Sequence, residues 1–405
     1  MRLGGREDKR EINFYTNTMK DKALEKLIKK ETDRQKKVVN LIASENYVSD
    51  DVLAALSSPF VNKYAEGYSG ARYYQGNAVV DEVESLAIER ALKLFKLSPK
   101  TWHVNVQALS GTPANLAVYA ALVPPGEKIM GMSLSHGGHL SHGHKVSFTG
   151  KIWKQVAYGV DKKTERLDYD ALEDIASRER PRLIVAGYTA YPRKIDFKKF
   201  RDIADSVGAH LLVDLSHTAG LVAGGVCPSP FKYADVVMTT THKTLRGPRH
   251  ALIFSLNEYA EKIDRAVFPG LQGGPHENTI AAVAVALYEA MQPSFKKYAE
   301  QVVKNAKVLA DELAKRGWHV VSGGTDSHLI LVDTWLEGEG IGGKEAAERL
   351  EKHSIIVNKN TIPFDTRSPI DPSGIGLGTA AETTRGKKEK DMVKTAETID
   401  RVLKV

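Results

Sequence analysis

Residues Asp235–Arg249 read DVVMTTTHKTLRGPR, and a similar stretch, HLLVDLSH, occupies His210–His217. In both stretches an apolar run leads to side chains able to carry chemistry, Asp214 in the earlier one and Lys243 in the later one. Apolar runs of this length are typical of buried strands. Because ligands of open α/β sheets bind at the carboxyl ends of the strands, we expect Asp214 and Lys243 to face one site.

The same alternation extends on both sides of these two runs. Between about Thr101 and Leu256, short apolar runs alternate with helical patterns. This rhythm predicts a mostly parallel sheet covered by helices on both faces. The predicted strands are His103–Gln107, Lys128–Met132, Arg182–Ala186, His210–Asp214 and Val236–Thr240.

A second pattern begins after Pro293 and predicts a smaller α/β domain. Upstream, Lys20–Val39 is typical of a charged helical arm lying on a larger body, and Asp81–Phe95 of a core helix. We therefore expect an N-terminal arm at residues 1–40, a large domain at 41–292 and a small domain at 293–405. The predicted elements of the small domain are helices at Val302–Arg316, Lys344–His353 and Met392–Leu403 and strands at Trp318–Ser322, Leu329–Asp333 and Ile355–Asn358.

The composition is that of a folded globular protein, with 405 residues of which 42% are hydrophobic and 26% charged. The single cysteine, Cys227, excludes an internal disulfide, and the charged segment Met1–Arg10 lacks the apolar run of a signal peptide. These features favour a cytoplasmic protein. No apolar run approaches the ~20 residues that span a bilayer. The net charge of +7 is dispersed among acidic residues, which is typical of a solvated surface rather than of a nucleic-acid-binding face.

The segment His103–Leu122, HVNVQALSGTPANLAVYAAL, runs from a strand through Ser110, Gly111 and Thr112 into a helix. Thr112 suits the N-cap position and Pro113 the first helical position. The free N–H groups of the first turn, the helix dipole and the hydroxyls of Ser110 and Thr112 would together form an anion site. An ordinary capped helix is the alternative.

Asp214 and Lys243 are the centre of the predicted chemistry. A carboxylate at the end of a buried strand is costly unless a cation meets it, and a protonated pyridine nitrogen would serve. A helix N-cap is the alternative role for Asp214. A lysine in a partly dry pocket near other cations has a lowered pKa, which leaves a free amine able to form a Schiff base. Thr240 and His242 come to the same edge as Lys243.

Four histidines in Ser135–His144, SHGGHLSHGH, invite a metal hypothesis. No cysteine or carboxylate cluster accompanies them in the sequence. We therefore predict no metal site and interpret His139 as an aromatic plate over a planar cofactor ring.

The segment Asn62–Gly76, NKYAEGYSGARYYQG, has too many glycines for a helix and too little alternation for a strand. It indicates an ordered binding loop. Beside Tyr64, Tyr73 and Tyr74, Glu66 could occupy a desolvated pocket with a raised pKa, poised for proton transfer. A rim loop with surface tyrosines is the alternative.

Taken together, these segments resemble the serine hydroxymethyltransferase family from about Lys36 to Val402. The shared blocks, in the family's order, are LIASENYVS, NKYAEGYSGARYY, SGTPAN, HGGHL, VDLSHTAGL, TTTHKTLRGPR, FPGLQGGP, VSGGTDSHL and VNKN. The resemblance implies the aminotransferase-like fold type I of pyridoxal 5'-phosphate enzymes, an α/β fold with a mostly parallel seven-stranded sheet covered by helices and a smaller C-terminal α/β domain. It also implies a homodimer, or a dimer of dimers, with shared active sites.

By the same resemblance, Lys243 forms the Schiff base with the cofactor, Asp214 pairs with the pyridine nitrogen, and His139 stacks on the ring. The other implied cofactor-binding residues are Ser110, Gly111, Thr112, Thr189, His217, Gly273 and Gly274, with Gly274 arriving from the neighbouring subunit. The implied substrate-binding residues are Ser44, Tyr74 and His217, and Tyr64, Glu66 and Tyr74 would enter the catalytic site across the dimer interface. The implied folate-binding residues are Glu66, Leu134, Gly138, Leu140 and Asn360.

The implied reaction interconverts serine and glycine. The Cα–Cβ bond of serine breaks, tetrahydrofolate receives the one-carbon unit as methylenetetrahydrofolate, and Glu66 moves protons between the reacting groups. One position departs from the family pattern. Members carry an arginine within a SGIRxGT-like block that grips the substrate carboxylate through two hydrogen bonds, whereas Ser373–Thr379 reads SGIGLGT, with Gly376 in that place. We expect weakened serine binding unless Arg367 or Arg385 replaces the contact.

Two alternative functions remain open from the sequence. One keeps the cofactor and acts as an aldolase on threonine or another 3-hydroxy amino acid. The other is a non-catalytic or disabled homologue that binds pyridoxal phosphate or RNA, for which Gly376 is the best support.

Overall fold

A computed structural model describes residues 19–404, so the expectation for Met1–Arg10 lies outside the described residues. The strands are β1 (Val39–Asn40), β2 (Gly67–Tyr68), β3 (Ala71–Arg72), β4 (Trp102–Asn105), β5 (Lys128–Met132), β6 (Lys154–Tyr158), β7 (Leu183–Gly187), β8 (His210–Asp214), β9 (Val236–Thr240), β10 (Ala251–Leu256), β11 (His319–Val320), β12 (Leu329–Asp333), β13 (Ile355–Ile356), β14 (Asn358–Asn360) and β15 (Gly374–Gly378). The helices are α1 (Lys22–Lys37), α2 (Asp50–Leu56), α3 (Ala78–Leu94), α4 (Gly111–Leu122), α5 (Phe148–Ile152), α6 (Tyr169–Glu179), α7 (Phe197–Val207), α8 (Ala219–Ala223), α9 (Ala260–Arg265), α10 (Glu277–Ala290), α11 (Pro293–Lys315), α12 (Gly343–Lys352), α13 (Ala380–Thr384) and α14 (Glu389–Leu403).

The central sheet has seven strands in the order β4-β10-β9-β8-β7-β5-β6. Strands β5 to β9 pair in parallel, and β10 runs antiparallel to both β9 and β4. Every residue of β7 and β9 is buried, because helices cover both faces and leave room only for apolar or small side chains. The prediction of a mostly parallel seven-stranded sheet is confirmed.

Two strands of this sheet were not predicted. Strand β6 is at the edge and exposes Lys154 and Ala157, so its apolar pattern is broken. Strand β10 follows β9 after a loop of only residues 241–250. A parallel return needs a crossover of roughly a dozen residues or more, so this short connection forces an antiparallel strand.

Local sequence signals account for several helix ends. The carboxylate of Asp196 accepts a hydrogen bond from the N–H of Lys199 and caps α7, which ends at Gly208 with φ 68°. The predicted start of α4 is wrong by two residues, since Ser110 and not Thr112 is the N-cap and the helix begins at Gly111. Pro113 is tolerated within the first turn because the N–H groups there have no intrahelical acceptor.

The predicted core helix Asp81–Phe95 corresponds to α3, in which Ala87, Ala91 and Leu94 are buried. Leu86 was expected on the same face but is 39% exposed. In residues 62–76, where an ordered binding loop without strand pattern was expected, the short pair β2–β3 forms a two-stranded sheet.

The C-terminal part contains a separate sheet of four antiparallel strands, in the order β11-β12-β15-β14. The C-terminal part has its own hydrophobic core. This core includes Leu309, Ile330, Leu350 and Ile399, which lie on α11, β12, α12 and α14. The predicted strand at Ile355–Asn358 is instead two short strands, β13 and β14, in different sheets. Strand β15 was not predicted, because its glycines give it little strand propensity.

Helix α1 has no buried residue, and its apolar stripe at Leu24, Leu27 and Ile28 is 44%, 61% and 44% exposed. The expected packing of this stripe on a larger body therefore does not occur within one chain. Between residues 19 and 404, no helix combines the length and apolar content needed to cross a membrane.

Candidate active site

Asp214 and Lys243 come together at the carboxyl edge of the central sheet. Asp214 ends β8, and Lys243 follows the end of the neighbouring strand β9 by three residues. Burial lowers the pKa of Lys243 to about 8, although the negative charge of Asp214 acts in the opposite direction. A larger fraction of this amine is therefore neutral and nucleophilic near pH 7 to 8 than of an ordinary lysine.

Three hydrogen-bond donors hold the Asp214 carboxylate. Its Oδ2 accepts from Asn115 Nδ2 and His142 Nε2, each at 3.0 Å, and its Oδ1 accepts from the N–H of Ser216 at 3.1 Å. Burial opposes ionisation, but the hydrogen bond from His142 and the charge of Lys243 keep the pKa of Asp214 below its ordinary value. One acceptor position on Oδ1 remains for a further N–H donor.

A hydrogen-bond chain connects this carboxylate to His139. The hydroxyl of Ser141 accepts from Asn115 Nδ2 at 2.9 Å and lies 2.7 Å from His139 Nδ1. The N–H of His139 lies 3.3 Å from His142 Nδ1, which leaves the His142 proton on Nε2, toward Asp214. Burial lowers the pKa of His139 to about 4, so this ring is a neutral aromatic plate near the carboxylate.

Sequence reasoning missed Asn115, Ser141 and His142. Asn115 was within the quoted block SGTPAN, and Ser141 and His142 were within the histidine-rich segment. Their contacts join chain positions up to 99 residues apart, so periodicity could not reveal them. Among residues 19–404, no group of three or more His, Cys, Asp or Glu side chains is placed to hold a metal ion.

The predicted anion cradle lies beside β9. Ser110 and Gly111 are half-buried and Thr112 is exposed at the start of α4. A Cβ atom on Gly111 would be 2.8 Å from Thr240 Cγ2, so the helix start and the strand end are in close contact. Thr240 Oγ1 is buried and has no hydrogen-bond partner among residues 19–404, which leaves a hydroxyl available to a ligand.

His242 lies next to Lys243 and is half-buried. Burial and then the charge of Lys243 lower its pKa to about 3. Its Nδ1 is buried without a partner in the described part of the chain.

A third side of the site is formed by His217 and Ser44. His217 is 4% exposed, and its ring stacks on that of His328 with centroids 5.5 Å apart. Ser44 lies between Ala43, whose carbonyl accepts from His328 Nε2 at 3.1 Å, and Asn46, which donates to the carbonyl of Lys243 at 2.9 Å. His328 was quoted within a family block but was not singled out as a site residue.

The segment around Gly138 contacts the segment that contains Thr189. The carbonyl of Gly137 accepts from the N–H of Thr189 at 2.8 Å, and Gly137 has φ 106°. A Cβ on Gly138 would be 2.0 Å from the carbonyl oxygen of Met132, so only glycine fits there.

The predicted folate positions flank a contact between two segments. The His136 ring lies 4.6 Å from that of Phe364, which brings the segment of Leu134, Gly138 and Leu140 close to the segment that contains Asn360. Leu134 and Asn360 are half-buried, Gly138 is buried, and Leu140 is 45% exposed.

A separate cluster contains Tyr64, Glu66, Tyr74, Gly273 and Gly274. Tyr64 Oη donates to Glu66 Oε1 at 3.2 Å, and the rings of Tyr64 and Tyr74 are in edge contact at 5.3 Å. Cβ atoms on Gly273 and Gly274 would lie 3.2 Å from Glu66 Oε1 and 3.6 Å from the Tyr64 ring. Tyr64 and Tyr74 are 59% and 47% exposed, so one chain does not form the desolvated pocket expected around Glu66.

Gly376 is in the middle of β15 and is buried. Its partner across the sheet is Leu331, which packs with Ala43 and Ala190, the neighbours of Ser44 and Thr189. A side chain at this position would therefore point toward the amino-acid end of the site. Its Cβ would be 2.9 Å from the amide of Asn358.

Comparisons with known proteins identify the family of this chain. The family model described as serine hydroxymethyltransferase matches residues 17–399. A serine hydroxymethyltransferase of Desulfotalea psychrophila is 54% identical over 377 residues, which is 93% of this chain and 87% of the relative. One of Acidothermus cellulolyticus is 54% identical over 385 residues, which is 95% of this chain and 89% of the relative. The chain belongs to the serine hydroxymethyltransferase family.

Proposed function

We propose that this protein interconverts serine and glycine and transfers the one-carbon unit to tetrahydrofolate, with pyridoxal 5'-phosphate as its cofactor. The observation that carries the proposal is the pairing of Asp214 and Lys243 at the ends of adjacent strands, within a chain of this family. The aldolase and the non-catalytic alternatives have no support from the matched family or the relatives.

The residues present fit the cofactor. The free acceptor position on Asp214 Oδ1 suits a protonated ring nitrogen, and the neutral imidazole of His139 suits a stacking contact. The unpaired hydroxyl of Thr240 and the start of α4 at Ser110 suit a phosphate group. When bound, pyridoxal 5'-phosphate supplies an electron sink for negative charge at the substrate Cα.

Lys243 would hold the cofactor covalently through its amine. Because burial brings its pKa to about 8, the neutral nucleophile is accessible without a strong external base. Asp214 would favour a protonated ring nitrogen in the bound cofactor, since its own carboxylate is held ionised by the His142 hydrogen bond and the charge of Lys243. Asn115 and His142 would orient this carboxylate through their hydrogen bonds to Oδ2.

Ser44 and His217 would bind the substrate carboxylate, next to Thr189. His217 Nε2 is buried without a partner among the described residues, so it is free to meet a ligand oxygen. Glu66 would move protons, and Leu134, Gly138, Leu140 and Asn360 would line the folate site.

We also propose a homodimer in which each site is completed by its neighbour. The cluster of Tyr64, Glu66 and Tyr74 is exposed in one chain, as is the apolar stripe of α1. Exposed aromatic and apolar side chains of this extent are typical of an interface. A second chain would supply the desolvated surroundings that Glu66 lacks in one chain.

The experiment has two parts. Purified protein loaded with the cofactor is treated with borohydride, and peptide mass spectrometry should find the pyridoxyl group on Lys243. Serine cleavage to glycine should then depend on tetrahydrofolate and be lost in Lys243→Ala, while Lys262→Ala, at an exposed surface lysine, keeps it. Attachment of the cofactor elsewhere, or serine cleavage without any dependence on tetrahydrofolate, would contradict the proposal.

A further inference from the structure

Two buried histidines contact each other behind the amino-acid end of the site. His217 Nδ1 lies 3.3 Å from His328 Nε2, and the rings are stacked at an interplanar angle of 22°. His217 is on the turn that follows β8, and His328 immediately precedes β12 of the C-terminal sheet. The contact therefore joins the two parts of the chain that border the site.

The carbonyl of Ala43 determines which nitrogen of His328 carries a proton. That oxygen lies 3.1 Å from His328 Nε2 and can only accept, so the nitrogen must donate. A neutral ring with its proton on Nε2 has no lone pair left there. The same nitrogen therefore cannot accept from His217.

The proton position on His217 follows from this constraint. Since His328 Nε2 only donates, His217 Nδ1 must be the acceptor in the contact between the two rings. Both rings are neutral at neutral pH, because burial lowers the pKa of His328 to about 4 and that of His217 well below its ordinary value. A neutral imidazole with a bare Nδ1 has its proton on Nε2.

We propose that His328 is a positioning residue that fixes His217 as the Nε2–H tautomer, so that His217 presents a hydrogen-bond donor to an anionic oxygen of the bound amino acid or cofactor. The buried Nε2 has no acceptor between residues 19 and 404, so a ligand oxygen must supply one. The inference rests on the proposed function, since it specifies how that site recognises its substrate.

The arrangement suits a site in which Gly376 offers no side chain. A neutral imidazole that is free to change tautomer could present a bare nitrogen to a carboxylate, which would repel it. When the proton of His217 is fixed on Nε2, the ring presents an N–H donor to the carboxylate and this repulsion does not arise. The His217 ring is buried between Tyr188, with centroids 6.3 Å apart, and His328, with centroids 5.5 Å apart.

The test compares two substitutions at His328 in the cofactor-loaded protein. His328→Gln retains an amide N–H that can donate to both Ala43 and His217, whereas His328→Phe keeps the ring volume and removes the donor. Nitrogen-15 NMR of histidine-labelled protein should show His217 protonated on Nε2 in the wild type and in His328→Gln. In His328→Phe the signal should shift to a mixture of tautomers. The His217 signal is assigned by its loss in His217→Gln.

Binding measurements identify the acceptor. If it is the substrate carboxylate, His328→Phe should weaken glycine binding and raise the KM for serine about tenfold, with kcat within threefold of wild type. If it is the cofactor's oxygen, the absorbance and affinity of the cofactor should change before any amino acid is added. His328→Gln should remain within about threefold of wild type in either case.

His250 provides a matched control. It is also buried, and its Nε2 donates to the carbonyl of Val106 at 2.7 Å, but its proton fixes no residue of the proposed site. His250→Phe should lose comparable stability without changing the His217 signal. A wild-type His217 protonated on Nδ1, or equal effects of Phe at both positions, would overturn the proposal. Absence of serine cleavage in the wild type would instead refute the proposed function and leave the NMR result standing.

Discussion

Gly376 is the residue whose replacement is most informative about substrate binding. Its Cα faces Leu331 across the sheet, on the side that carries Ala43 and Ala190. An arginine there would extend toward Ser44 and His217 and could hold a carboxylate through two parallel hydrogen bonds. The glycine leaves that position without charge, which accounts for the expected weak affinity.

We predict that Gly376→Arg lowers the KM for serine by about thirtyfold, equivalent to about 2 kcal/mol for a charge-assisted contact. Steady-state kinetics with saturating tetrahydrofolate measures the effect, and kcat should change little. Gly376→Gln is the control, because it displaces the Asn358 amide similarly but carries no charge. Equal effects of Arg and Gln, or an unchanged KM with Arg, would exclude the explanation.

The packing of α3 against α10 buries two carboxylates that the proposed reaction does not use. Glu84 is paired with Arg72 at 2.9 Å and accepts from Gln107, whereas the buried carboxyl of Glu277 faces Glu84 and has no cationic partner of its own at salt-bridge distance in the described residues. Burial, followed by the charge of Glu84, raises the pKa of Glu277 to about 9. Folding therefore favours the protonated form of Glu277.

The sign of the pH effect follows from this raised pKa. The contribution of Glu277 to stability is fully present below its unfolded pKa near 4.5 and is lost as the pH rises toward 9. We predict that Glu277→Gln raises the free energy of unfolding at pH 8 by about 2 kcal/mol and has little effect at pH 4.5. Urea unfolding at the two pH values measures the difference.

Glu84→Gln is the matched control on the facing helix. It breaks the buried pair with Arg72, so it should destabilise the protein at pH 8. A gain from Glu277→Gln that is equal at both pH values would show that packing, and not protonation, causes it.

The two parts of the chain are held together by a small polar contact away from the site. Glu165, which lies before α6, accepts from the N–H of Ser322 at 2.6 Å and lies 3.0 Å from His319 Nε2. The hydrogen bond to Glu165 raises the pKa of His319. Arg193 and Asp326 form a second ion pair between the same parts at 3.2 Å.

Because the folded pKa of His319 is raised above 6.5, its ion pair stabilises the protein fully below pH 6.5 and is lost as the pH rises through the folded value. His319 is half exposed, so solvent screening keeps the effect below about 1 kcal/mol. We predict that His319→Gln is destabilising at pH 5.5 and neutral at pH 8.5 in thermal unfolding. A loss that is the same at both pH values would contradict the ion-pair explanation.

The proposed sharing of sites between two chains predicts complementation. Lys243→Ala and Glu66→Gln proteins should each be inactive, but co-refolded mixtures should recover about a quarter of wild-type activity. Half of the dimers would be mixed, and one of their two sites would contain both intact residues. If Lys243 and Glu66 act within one chain, every site keeps a defect and no activity returns.

The sequence alone predicted five of the seven strands of the central sheet and the acid–amine pair at its edge. Four of these five strands, β5 and β7 to β9, pair in parallel, and a parallel strand that is buried on both faces tolerates little but apolar side chains. The order of family blocks then predicted roles for Asp214, Lys243 and the segment at Ser110. The apolar pattern that predicts a strand was weak at β6, where burial is one-sided, and at β15, which is rich in glycine.

Tertiary structure alone decided which distant side chains support these residues. Asn115 and His142 hold Asp214, and Ala43 with His328 sets the proton on His217, through hydrogen bonds between segments 72 to 285 residues apart. Such contacts leave no periodic trace in the sequence, since they depend on how strands and loops meet in space. Local residue patterns determine strands and turns, whereas proton positions and carboxylate orientation depend on long-range geometry.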